Sequence, residues 1–225
     1  MSWILDFHRS SLGKKYEMAI TGIILFGWIF LHMVGNLKLY LGAEAMNHYG
    51  EWLRVIGAPA FPEGAALWIS RIVLLVGVWL HIQAAVQLTL MNRRARPVRY
   101  ERHDFVETDY AARTMRWGGV IILLFVVYHL LHLTTGHAHR DFIPGDPYHN
   151  VVVGFQNVWV SLAYVVANLA LGLHLYHGLW SMFQSMGWNH PKFNRWRRGF
   201  ATTFAVVITV GNVSFPAAVM LGLVR

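Results

Sequence analysis

Six histidines lie within long apolar stretches of this chain, and they are the residues whose type and spacing could do chemistry. His32, His81, His129 and His174 occupy four successive stretches in similar settings: Phe30-Leu-His32, Trp79-Leu-His81, Val127-Tyr-His129 and Gly172-Leu-His174. His132 and His177 follow the last two by three residues. An ionisable side chain inside a membrane segment is costly, and by default it marks a functional site. Such an imidazole can bond a neighbouring helix, relay protons or bind a metal. The chain has no cysteine, which excludes disulfides, thiolate-held iron–sulfur clusters and thioether-attached haem. Any metal must be held by nitrogen or oxygen.

The elements that must position these side chains follow from composition. Of 225 residues, 56% are hydrophobic and 13% charged, against roughly 25% charged in soluble domains. The mean hydropathy is +0.40. Lipid is therefore the expected solvent for much of the surface, and a soluble enzyme is excluded. The pattern predicts an all-α integral membrane protein, one membrane domain over 1–225, with five spans at about 16–41, 66–92, 113–136, 156–187 and 199–223. The first four spans are expected to form the histidine-bearing bundle. The first span carries His32, Asn36 and Lys38 and no small-residue cleavage site follows it, so it does not read as a signal peptide. Residues 2–9 and 44–56 are expected to be interfacial helices, given Trp3, Phe7 and Trp52. Ala58–Pro62, Pro144–Pro147 and Asn189–Pro191 read as loops.

Charge gives the orientation. Fourteen of the 19 Lys and Arg fall on one side: Arg9, Lys14, Lys15, Arg93, Arg94, Arg96, Arg99, Arg102, Arg113, Arg116, Lys192, Arg195, Arg197 and Arg198. The other side holds Lys38, Arg54, Arg71, Arg140 and Arg225. The positive-inside rule puts the N-terminus in the cytoplasm and the C-terminus outside. The net charge of +8 is thus a topology and headgroup signal, not a nucleic-acid footprint.

Depth sorts the histidines. At 1.5 Å per residue, His32 and His129 lie about 14 and 10 Å from the outer ends of their spans, and His81 and His174 about 22 and 27 Å. Two levels result, with two histidines at each. One metal cannot bridge both levels, since it binds imidazole nitrogen at about 2 Å. Two metals with paired axial ligands can, and two porphyrins so held suit electron transfer because no iron position stays open. His132 and His177 remain alternative ligands, or else polar partners of the cofactors. Gly27, Gly35, Gly77, Gly119, Gly172 and Gly178 could admit a macrocycle or simply be small helix contacts. His137 and His139 read as solvated loop residues.

Over nearly its whole length the chain resembles the membrane cytochrome b subunit of succinate dehydrogenase/fumarate reductase, respiratory complex II, in its two-haem, single-polypeptide, five-helix form. The resemblance rests on Ser10-Ser-Leu-Gly-Lys-Lys-Tyr-Glu-Met-Ala-Ile-Thr-Gly22, Leu31-His-Met-Val-Gly-Asn36, Gly42-Ala-Glu-Ala-Met-Asn47 and Leu173-His-Leu-Tyr-His-Gly-Leu-Trp-Ser181, followed by Asn189-His-Pro-Lys-Phe-Asn194. It implies two haem b groups, the outer bound by His32 and His129 and the inner by His81 and His174. It also implies flavoprotein and iron–sulfur partners on the cytoplasmic face, in the cytoplasmic membrane of a bacterium. Electrons from succinate would pass through the inner and outer haems to a quinone, menaquinone in the two-haem kind. Succinate chemistry would stay on the partners, and further oligomerisation of the complex is open.

Propionate partners are expected among Lys14, Lys15, Arg93, Arg94, Arg113 and Arg116 on the inner side, and Lys38, Arg71 and Arg140 on the outer. Arg71 also reads as a snorkelling side chain. Quinone reduction calls for a proton donor, with Glu51 and Glu63 as outer candidates and Ser10, Ser11 and Lys14 marking an inner alternative. Rival readings are a di-haem cytochrome serving a hydrogenase or formate dehydrogenase, or ascorbate-driven transmembrane electron transfer, and a haem-free, proton-coupled transporter.

Overall fold

A computed structural model describes residues 2–95 and 110–225. Arg96, Arg99 and Arg102 lie outside the described residues, as does the side chain of Arg113. The described residues form eight α-helices and no strand: α1 Ser2–Arg9, α2 Ser11–Asn36, α3 Ala43–Val55, α4 Ala65–Ala95, α5 Tyr110–His129, α6 Pro147–Phe155, α7 Val158–Ser185 and α8 Asn194–Met220. Five segments are long and apolar enough to cross a bilayer: Ser11–Leu41, Ala65–Ala95, Met115–Thr134, Val158–Ser185 and Pro191–Met220. The first and last begin earlier than expected, because lysines and arginines continue the helix into the interface. Ser10 fixes the start of α2 by accepting a hydrogen bond from the Gly13 N–H at 3.0 Å.

Packing links four helices in the order α4–α2–α7–α5. α2 lies against both α4 and α7, and α5 lies against α7, while α8 covers the outside of α7 and α2. Among the described residues α2 makes no comparable backbone contact with α5, nor α4 with α7. The α4–α5 pair makes none either among these residues, so α2 with α5 and α4 with α7 are each two steps apart in that packing order. Near the N-terminal face the interior is closed by Ala19, Met182 and Phe183, and farther along by Met33, Tyr164, Leu175 and Ile208. Large apolar side chains such as Leu75, Trp79, Leu124 and Val210 are exposed, as helices surrounded by lipid require.

Of the glycines that could admit a macrocycle or serve as small helix contacts, Gly172 and Gly35 are helix contacts. A Cβ on Gly172 would overlap Thr209 Oγ1, and one on Gly35 would lie 2.8 Å from the Tyr49 ring. The α7–α8 approach is close because Gly172 carries no side chain there.

The face opposite the N-terminus is roofed by α3 and α6. Helix α6 replaces part of the expected loop: Asp146 caps it and Pro147 begins it. Asp146 Oδ1 accepts from the His149 N–H at 3.0 Å and from Asn47 Nδ2 at 2.9 Å, and the Tyr148 N–H donates to Asn47 Oδ1 at 3.1 Å. The two short helices are thus latched together.

Gly172→Ala should destabilise the protein by about 1–3 kcal/mol, the usual range for overpacking, and a Thr209→Ala background should remove most of that loss. Thermal unfolding of the four detergent-solubilised proteins in this cycle measures the coupling. A second expectation concerns acid. The His149 N–H, followed by Asn47, holds the Asp146 carboxyl below its ordinary value against the opposing effect of burial. Its stabilisation is complete above the unfolded-chain pKa near 4 and is lost as pH falls through the lower folded value. Asp146→Ala should therefore cost about 1 kcal/mol near neutral pH, with the gap to the parent narrowing in acid.

Candidate functional site

The α2–α5 and α4–α7 pairs carry the histidines. His32 on α2 and His129 at the end of α5 approach with ring centroids 5.8 Å apart and planes at 88°. His81 on α4 and His174 on α7 lie 6.3 Å apart at 60°. Both pairs join the residues that depth alone associates. Two imidazoles binding one metal at about 2 Å have ring centres about 6.3 Å apart, since each centre lies about 1.2 Å behind its nitrogen. His32 is exposed and the other three are half-buried.

Separation of the levels can be read along the helices. His81 touches α2 at Thr21, eleven residues before His32, which is about 16 Å at helical rise. His129 touches α7 at Tyr164, ten residues before His174, or about 15 Å. The pairs are separate sites.

Neighbouring groups set the ring orientations. Thr21 Oγ1 donates to the Glu17 carbonyl at 2.7 Å, so towards His81 Nδ1, 3.1 Å away, it can only accept. The His81 proton thus lies on Nδ1, and Nε2 keeps its lone pair. Gly22 stands directly beside this ring, where a Cβ would be 3.6 Å from His81 Cε1, and Gly119 stands 4.0 Å from His174 Cε1. Half-buried Gly27 and Gly178 have no other atom within 4 Å of a would-be Cβ. A flat ligand finds room at their flanks. Gly77 meets Leu25. His174 Nδ1 is buried without a hydrogen-bond partner.

The His32–His129 pair adjoins a feature the sequence did not announce. Helix α5 ends in a π-helical turn, Leu130–Thr134, closed by the Thr135 N–H to the Leu130 carbonyl at 2.9 Å. Such wide turns gather at functional positions. The turn sends His132 away from His32: it is buried, stacked between Tyr128 and His139 at 5.5 and 4.9 Å, and pressed against Gly154, where a Cβ would lie 2.7 Å from its ring. His132 and His129 share the Tyr164 hydroxyl at 2.9 and 3.2 Å. His139 is not the solvated residue expected. Its Nε2–H donates to the Asn150 carbonyl at 2.8 Å and its Nδ1 accepts from the Asp141 N–H at 3.0 Å. His137 is exposed and bonds only Thr135, at 2.9 Å. His177 lies 3.2 Å from Ser181 Oγ.

The remaining candidates scatter. Ser10 acts as a helix cap, and Ser11 and Lys15 are exposed. Lys14 is buried, donating to Glu17 Oε2 at 2.7 Å and His8 Nε2 at 3.0 Å. It lines a cleft of about 380 Å³ with Arg9, Gln87 and Arg94. Arg93, Arg116 and Arg140 are exposed. Arg71 is exposed over the Trp68 ring at 4.9 Å, the snorkelling arrangement, and Lys38 lies over Tyr49 at 5.4 Å. Glu51 lines a groove of about 630 Å³ with Glu44 and His48 on the face roofed by α3, and Glu63 is exposed. Arg197, expected as a surface topology charge, is only 3% exposed. It packs over Trp180 at 5.0 Å, with Nε and Nη1 unpartnered.

Compared with known proteins, the chain matches no family model, no curated protein and no solved structure.

Proposed function

We propose that the chain is a di-haem cytochrome b, the membrane anchor of a succinate:quinone oxidoreductase, carrying electrons from an iron–sulfur partner to a membrane quinone, menaquinone by the resemblance in its motifs. The observation that carries this reading is the pairing of His32 with His129 and His81 with His174 at 5.8 and 6.3 Å, between α2 and α5 and between α4 and α7. Two nitrogens do not complete the shell of a bare ion, whereas a porphyrin brings four of its own. The donor chemistry fits: His81 is held with Nε2 unprotonated, and glycines back the His81 and His174 rings. Bound haem with two axial imidazoles supplies one-electron redox chemistry and no open coordination position.

The chain's own residues then have distinct tasks. The four histidines bind and orient, and Thr21 fixes one tautomer. Apolar side chains keep water from the rings, lowering the local dielectric. The lysines and arginines collected on the N-terminal face orient that face to the cytoplasm and attract the acidic surface of a soluble partner pair, flavoprotein and iron–sulfur protein. Lys14, Arg94 and the adjoining cleft are the propionate or quinone contacts best placed on that side, and Glu51 is the proton donor best placed on the other.

A reduced-minus-oxidised spectrum of the purified complex, with haem counted per chain, tests the reading. Two b haems are expected, at least one of them reduced by succinate. His32→Ala or His129→Ala should leave one haem, as should His81→Ala or His174→Ala, whereas His132→Ala and His177→Ala should leave two. Two haems indifferent to succinate in an intact complex would favour a hydrogenase or formate dehydrogenase partner, and a colourless protein would favour a proton-coupled transporter.

A further inference from the structure

We infer that the Tyr164 hydroxyl is the positioning group of His129, accepting from His129 Nδ1–H while donating its own proton to His132 Nδ1. The inference rests on the di-haem reading and goes beyond it, because it assigns the control of one metal-binding nitrogen to residues that are not among the proposed ligands.

Proton counting gives the direction. Tyr164 Oη lies 3.2 Å from His129 Nδ1 and 2.9 Å from His132 Nδ1, and a phenol has one proton to give. If it gave that proton to His129, the imidazole proton would sit on Nε2, and the nitrogen farther from the tyrosine would lack the lone pair a metal needs. The opposite assignment leaves Nε2 free and satisfies His132 as well. Both outer groups are fixed in place. The Tyr164 ring is held edge-on by Phe125 at 4.9 Å and Phe155 at 4.8 Å. His132 is held between Tyr128 and His139 over Gly154. The π-helical turn makes the arrangement, since it turns His132 to the far side of Tyr164 from His32.

The inner site has a different device. Thr21 performs the same accepting role for His81, with its proton committed to a backbone carbonyl, and His174 Nδ1 has no partner. A ring N–H that donates to an acceptor makes the opposite nitrogen a stronger electron donor, which favours the oxidised metal. Tyr164 therefore lowers the potential of the outer haem relative to one bound by an unassisted imidazole.

The test is Tyr164→Phe in the whole purified complex, with haem counted per chain and both potentials followed by redox titration with EPR of the low-spin ferric signals. Both haems should be retained. One midpoint potential should rise and its EPR g-values change, while the other haem keeps both. His132→Phe keeps the stacking and Tyr164 but removes the acceptor, and it should move the same haem in the same direction by less. If both variants hold two haems with unchanged potentials and signals, the inference is wrong. It is equally wrong if both haems shift together, the mark of a general structural change. Should Tyr164→Phe fail to fold, His132→Phe decides alone. A wild-type complex without haem would instead sink the di-haem reading itself.

Discussion

An imidazole inside a lipid-facing helix bundle must have both of its nitrogens accounted for, and much of this architecture follows from that constraint. An unpaired polar group removed from water costs roughly 1–3 kcal/mol in proteins. Four such rings in four spans would oppose folding unless each found partners. Where partners are visible they are local on one nitrogen, Thr21 for His81 and Tyr164 for His129. Across each pair the two rings approach one another. Facing rings about 6 Å apart are too far to bond one another directly and well spaced to share one ion.

The two ends of the bundle solve the problem with different materials. Near the N-terminal face a threonine on α2 bonds its own helix backbone and spares one acceptor for His81. That device needs no extra element. Near the opposite face the helix itself is altered: the π turn, the roof helix α6 and the loop histidine His139 combine to hold His132 as a buffer layer between Tyr164 and solvent. Asp146 and Asn47 secure that roof. The cap and His129 are therefore connected through Asn150, His139, His132 and the Tyr164 hydroxyl.

What the sequence disclosed and what it withheld divide along physical lines. Five long apolar runs and two aromatic amphipathic segments announce their helices, because lipid admits few other structures. The pairing of His32 with His129 and His81 with His174 was legible from depth, since helical rise is constant. Rotation about the helix axis was not. The wide turn at Leu130–Thr134 leaves no mark in the spacing of His129 and His132, so which of them faces the bundle could not be settled by counting. Asp146-Pro147 was a readable helix start, but α6 is short enough to pass for a loop. Gly35 and Gly172 share their residue type with Gly27 and Gly178, and only the positions of Tyr49 and Thr209 tell packing glycines from those with room beside them.

Charge on the N-terminal face shows the same limit and carries a consequence for assembly. Counting treats Lys14 and Arg197 like Lys15 and Arg198, yet the first two are buried and the second two exposed. Lys14 is neutralised by Glu17 within the same helix turn, and removing either partner would leave an uncompensated buried charge. Arg197 has only the Trp180 ring, which it shares with Arg198 at 5.1 Å. These side chains are spent on the internal structure of the face and would not reach the soluble partner proposed above. The charge that can steer one is the exposed remainder, including Arg9, Lys15, Arg93, Arg94, Arg116, Lys192, Arg195 and Arg198. Steering by exposed charge is screened within about 8 Å at physiological salt, so it speeds encounter more than it holds a complex together. Under that proposal a lasting junction on this face would draw on its exposed aromatic side chains, Trp188, Phe193 and Trp196 beside the α7–α8 turn, whose burial would provide the apolar area that screened charges cannot.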